Sequence, residues 1–101
     1  MTGREQLEYM ERRKQVLLRA GWVCEIPDCN NRLSFDTYQM AHIIGKGKTN
    51  MRLYGKAVIH HPLNIKATCG DACNRLASCG SHTAEIKELV EQIRAAIKGE
   101  L

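Results

Sequence analysis

Aromatic residues are scarce in this chain of 101 residues, which has three Tyr, one Phe and one Trp, and proline is scarcer still at two. A domain this short buries only roughly 60–65% of the surface that its unfolded chain exposes, so its core is thin. Packing alone is then a weak source of stability, and some cross-link is expected. Long apolar runs are missing too. Nothing approaches the roughly 20 residues of a membrane span, and the charged segment Met1 to Gln15 stands where a signal peptide would be apolar. No membrane association is expected, and the chain reads as a non-secreted, cytoplasmic protein. No internal repeat or low-complexity tract interrupts it.

Acidic side chains are absent from Thr37 to Gly70, although the whole chain has 11 of them against 15 Lys and Arg. Lys46, Lys48, Arg52, Lys56 and Lys66 give that stretch a charge of +5, while the remainder, with 10 basic and 11 acidic residues, is nearly neutral. The same stretch holds three of the four histidines. A one-signed segment attracts a polyanion even when the net charge is modest, so it is a candidate phosphate-facing surface as well as a solvated run of lysines.

The chain does have cysteines, five of them. Four fall into two close pairs, Cys24-x4-Cys29 and Cys69-x3-Cys73, with 39 residues between. In a reducing compartment close pairs point to metal rather than disulfides. Tetrahedral zinc takes four thiolate or imidazole ligands, and pairs on polar turns such as Pro27-Asp28 and Gly70-Asp71 supply them. The competing reading is four thiols buried as small apolar groups. A four-cysteine site has no open position, so its zinc would stabilise rather than catalyse. Cys79 is left over, and either it or His82 could substitute in the site.

Helical signals flank this region. Thr2-x-x-Glu5 matches a capping box, and Leu7, Met10, Val16, Leu17 and Leu18 carry a helix to about Ala20, where Gly21 can end it. This helix should lie against the core, with the Arg12-Arg13-Lys14 run solvated. Ser81 or Thr83 can cap a second helix with Ile86, Leu89, Val90, Ile93 and Ile97 on one face, which should cover the chain's own core. Between them, Leu33 to Ile44 suggests two short strands around His42, Gly45 to Lys56 an extended loop, and the residues after Pro62 a connector into the second knuckle. Trp22 and Tyr54 are expected to pack in the core and loops.

Ala41-His42-Ile43-Ile44 between the pairs, then Leu63-Asn64-Ile65, then Asn74-Arg75 directly after the last Cys, resemble the motif of HNH endonucleases from Cys24 to about Arg75. The resemblance implies an α+β fold. A zinc-stapled ββα-metal core would occupy residues 22–80, with an N-terminal helix over 1–21 and a C-terminal helix over 81–99, in a single HNH-like domain of residues 1–101. It further implies that His42 is the general base for an attacking water and that Asn64 orients the His42 ring. Asn74 would be a ligand to a catalytic divalent ion, Mg²⁺ or Mn²⁺, beside the structural Zn²⁺ of Cys24, Cys29, Cys69 and Cys73. Family members commonly place a metal ligand just before the base, where this chain has Ala41, unless His60, His61 or His82 reaches the ion. His60 and His61 otherwise read as loop histidines.

The chemistry is coherent on these residues: a neutral imidazole as base, a cation against phosphorane charge, and a basic loop to hold the backbone. Lys46, Lys48, Arg52, Lys56 and Arg75 would grip the phosphates of nucleic acid, most simply DNA, with a homodimer or protein partner if sequence selectivity is needed. A rival of another class keeps the fold and loses the chemistry: a zinc-stabilised binding module for nucleic acid or protein. A zinc redox sensor using Cys79 as its spare thiol is a third.

Overall fold

Thr2 opens the first helix as its sequence predicts. Its hydroxyl oxygen accepts the Glu5 N–H at 3.1 Å, and α1 runs Gly3–Arg19 in a computed structural model that describes residues 2–78 and 83–99. The helix closes in a Schellman turn. Trp22 N–H bonds the Leu17 carbonyl at 3.3 Å and Gly21 N–H the Leu18 carbonyl at 3.1 Å, with Gly21 at φ 66°, a conformation that glycine adopts without a Cβ clash. The buried stripe of α1 is narrower than expected, for Val16 and Leu17 are inside while Leu7 and Leu18 are exposed.

Arg13 joins that stripe. Far from being solvated, its guanidinium donates to the Phe35 and Tyr38 carbonyls and lies 4.2 Å from the Tyr38 ring centroid, while Tyr38 donates its hydroxyl to the Arg13 carbonyl. Burial of Arg13 is tolerable because its donors find carbonyls and its charge finds aromatic faces. Arg19 forms a second clasp. It donates to the carbonyls of Pro62 at 2.7 Å and Ile65 at 2.6 Å and pairs with Glu25 at 2.7 Å.

The strands differ from the expected hairpin. Only Gln39–His42 (β1) is extended in that region, and its partner is Ile65–Thr68 (β2), antiparallel, with Gln39 opposite Thr68 and His42 opposite Ile65. The supposed connector after Pro62 is therefore the second strand. Between β1 and β2, the expected loop from Gly45 instead folds into two short helices, Lys48–Tyr54 (α2) and Lys56–Ile59 (α3), and a 3-10 turn at Pro62–Asn64. Gly55 at φ 84° separates α2 from α3, so one glycine read as loop punctuation is a helix boundary.

Asp71–Ala77 forms α4, packed on both strands, and Thr83–Gly99 forms α5. The expected Ser81 cap lies outside the described residues, as do Cys79 and His82. Two cores result. Val16, Leu17, Cys24, Tyr38, Ala41, Ile65 and Ala67 pack between α1, the cysteine turns and the sheet. Ile44, Val58, Ile59, Val90 and Ile93 form the other, so α5 covers α3 and the chain after His42, with Tyr54 packed at its margin. Trp22 is 43% exposed at φ 64°, outside both cores and against expectation. This is a small α+β arrangement of a two-stranded sheet, helices and a cysteine cluster, and no helix among the described residues is long and apolar enough to cross a membrane.

Candidate metal centre and histidine cleft

The first cysteine turn is built by residues that tolerate left-handed backbone. Asp28 and Asn30 lie at φ 69° and 58°, where Asx side chains are enriched. An isolated bridge between Val23 and Arg32 and the bond from Cys24 N–H to the Asn31 carbonyl at 2.8 Å close the turn. Glu25 fastens it to the sheet. Its N–H bonds the Ala67 carbonyl at 2.8 Å, and its carboxylate accepts the Ala67 N–H at 2.8 Å. The second pair straddles the start of α4, which places Cys69 before the helix and Cys73 in its first turn.

These turns bring the four sulfurs of Cys24, Cys29, Cys69 and Cys73 within 4.8 Å of one another. Three edges of the cluster are 3.6 Å (Cys29 to Cys69), 3.7 Å (Cys69 to Cys73) and 3.6 Å (Cys73 to Cys29). A disulfide needs about 2.05 Å. A tetrahedron of 2.3 Å zinc–sulfur bonds has edges of about 3.8 Å, so the donor set and spacing fit a metal ion such as zinc. Asn31 donates its amide N–H to Cys69 Sγ at 3.3 Å, and that bond draws the Cys69 thiol down to about 7. Contact with the Cys29 sulfur instead pushes Cys73 up to about 12. Thiols this crowded cannot all ionise together without a cation between them.

His42 ends β1 half-buried. Its Nε2 is 3.3 Å from Nδ1 of His60, the residue that ends α3, with the rings edge to face at 77°. Burial, with the charges of His60, Lys46 and Arg12 secondary, lowers His42 to about 4; burial, then Arg12, Lys46 and Lys56, lowers His60 also. Both rings are therefore neutral at physiological pH. His42 should titrate near pH 4 in an NMR pH series of its Cε1 proton, rather than near the 6.5 of a free imidazole. The unfolded chain binds this proton first, so His42 costs no stability above about pH 6.5 and progressively more as pH falls towards 4.

Both rings line an open cleft of about 1050 Å³. Lys46 and Lys56 stand on its wall, as the basic stretch suggests, whereas Lys48, Arg52 and Arg75 are exposed elsewhere. The opposite wall is α1, which contributes Arg12 but also Glu5, Glu8 and Glu11. The cleft is thus of mixed charge, a feature hidden from sequence because α1 is distant in the chain. A smaller depression of about 330 Å³ is shared by His42, Lys46, Gln39 and Asn74. There Asn74 donates to Gln39 Oε1 at 2.9 Å, and Gln39 donates to Asp71 at 2.8 Å. Gln39 escaped notice in the sequence, where nothing distinguishes it from a surface glutamine. Ala41 is wholly buried in the first core, so position 41 brings no ligand to this depression.

Asn64 does not reach the His42 ring, contrary to expectation. It is fully buried, and its amide accepts the Ile44 N–H at 2.8 Å and donates to the carbonyls of Ile44 at 3.1 Å and Ile59 at 2.8 Å. With Ile43 N–H on the Asn64 carbonyl at 2.8 Å, it fixes the backbone on which His42 sits and ties it to α3, which carries His60. Asn64→Ala would strand three buried backbone groups at about 1–3 kcal/mol each. We expect a loss of at least about 3 kcal/mol in denaturant melts of metal-loaded protein; a change below about 1 kcal/mol would contradict this clamp.

No protein-family model, curated protein or solved structure matches this chain. Its function must be argued from the site.

Proposed function

We propose that the protein is a zinc-stapled endonuclease of the HNH type that hydrolyses phosphodiester bonds of DNA. The observation that carries the reading is the shared depression of His42, Lys46 and Asn74, lined by residues of α1, β1 and α4. A candidate base on β1 and a candidate ligand Asn on α4, which packs on both strands, support the ββα-metal reading, although α2, α3 and a 3-10 turn lie between the strands. Zn²⁺ in the cysteine cluster serves as the staple.

His42, neutral and half-buried, takes a proton from a water placed in the depression. The resulting hydroxide forms a new bond to phosphorus as the leaving P–O bond breaks, and the leaving oxygen departs with that electron pair and is protonated from solvent. Lys46 and Lys56 hold the phosphate backbone at the cleft, and Lys48, Arg52 and Arg75 extend the basic contact beyond it. Mg²⁺ or Mn²⁺ bound at Asn74 would supply charge stabilisation for the phosphorane. Among the described residues no second group of three His, Cys, Asp or Glu side chains can hold an ion. Such an ion would therefore depend on substrate phosphate and water for its other ligands, which suits Mg²⁺.

Supercoiled, single-stranded and branched DNA, incubated with zinc-loaded protein in buffer cleared of free metal, should remain intact until Mg²⁺ or Mn²⁺ is added. Binding should weaken steeply with salt, log K falling by about 0.9 per phosphate contact for each log unit of salt. DNA binding with no cleavage under any added ion would favour the rival reading, an inactive binding module in which Ala41 marks the lost ligand.

A further inference from the structure

We propose that His60 is a positioning residue that fixes the tautomer of His42, so that Nδ1 of His42 is the atom that takes the proton from water. The inference deepens the endonuclease reading and rests on it, since the need for a usable base decides which of the two rings donates. Its ground is the contact of His42 Nε2 with His60 Nδ1 at 3.3 Å and the edge-to-face rings at 77°. Two neutral imidazoles that share such a contact must divide it, one nitrogen donating and the other accepting.

If Nε2 of His42 were the base, its lone pair would be turned into His60 and away from water. The arrangement that leaves a usable base puts the proton on His42 Nε2, donates it to His60 Nδ1 and leaves His42 Nδ1 unprotonated. His60 then carries its own proton on Nε2. When His42 Nδ1 accepts a proton from water, the positive charge that forms is stabilised by Nε2–H donating to the neutral His60 ring. No proton passes to His60, so the pair gains one proton in total and returns it to solvent.

The fold supplies the geometry through the end of β1, where His42 pairs with Ile65, and through one buried side chain. His60 sits at the end of α3, Ile59 beside it is bonded to Asn64, and Asn64 also holds Ile44, two residues beyond His42. One buried amide thus sets the spacing between the two histidine-bearing segments.

The test reads the tautomer directly, by long-range ¹H–¹⁵N correlation of the histidine rings in zinc-loaded protein at pH 7 without DNA. We expect His42 protonated on Nε2, and a mixed tautomer in His60→Leu. In His60→Asn, a side-chain oxygen can stand near the position of Nδ1 and accept, so the wild-type tautomer should return. In cleavage assays His60→Leu should lower kcat by roughly tenfold to a hundredfold with KM little changed, and His60→Asn should recover most of it. A wild-type His42 protonated on Nδ1, or a tautomer unchanged in His60→Leu, overturns the proposal. The expected tautomers in a protein that cuts no DNA would leave the pairing intact and remove the nuclease reading.

Discussion

Removal of metal from the cysteine cluster should unfold the protein. The three sulfur separations of 3.6, 3.7 and 3.6 Å are close to the edges of a zinc–thiolate tetrahedron and too long for disulfides. The cluster joins the first turn to the end of β2 and the start of α4, and beside it the first turn is held to the sheet by the two bonds between Glu25 and Ala67. Structural zinc contributes on the order of 10–16 kcal/mol to folding in small zinc domains, as much as or more than the 5–15 kcal/mol by which an ordinary domain is stable. A strong chelator, or Cys73→Ser, should therefore abolish the cooperative thermal transition seen by circular dichroism at 25–80 °C, a range typical of small domains. Native protein should carry one zinc per chain by elemental analysis. An unchanged melt in chelator, or well under one zinc per chain, would show that the thiols are merely buried.

Loss of His42 should have the largest effect on chemistry. A positioned general base contributes about 10²- to 10⁴-fold, so His42→Ala should lower kcat by that factor, about 3–5 kcal/mol of barrier. The fold should survive, because His42 belongs to neither hydrophobic core and Ala is tolerated at the end of a short strand. Zinc content and melting should stay near wild type. Acid destabilisation between pH 6.5 and 4 should shrink in this variant, since the buried ring that resists protonation is gone. A variant that loses zinc would contradict the expected survival of the fold, and one as active as wild type would remove His42 from the catalytic role.

The elements that were legible in sequence are those fixed by local chemistry. The Thr2 cap, the Gly21 stop, the α5 stripe and the two cysteine turns depend on residues within a few positions of one another, and all formed as read. Contacts between distant segments were not legible. β2 is buried at Ile65, Ala67 and Thr68, so it shows little of the alternation that marks a strand with one solvent face, and its partner lies more than twenty residues away. Met51 and Tyr54 of α2 pack on the second core, a benefit invisible until α5 is in place. Arg13 reads as one of three adjacent cations, and only the carbonyls of Phe35 and Tyr38 make it a core residue. Asn64 stood out in the sequence, but its amide serves backbone rather than a ring, since either use asks for the same side chain.

The most direct measurement of the central claim is the initial rate of supercoiled-plasmid cleavage at saturating Mn²⁺ by zinc-loaded wild type and zinc-loaded His42→Ala, purified side by side. The account predicts nicked and then linear product from wild type, with a rate at least about a hundredfold lower in the variant. Equal rates in the two proteins, or intact plasmid with wild type under both Mn²⁺ and Mg²⁺, would contradict it.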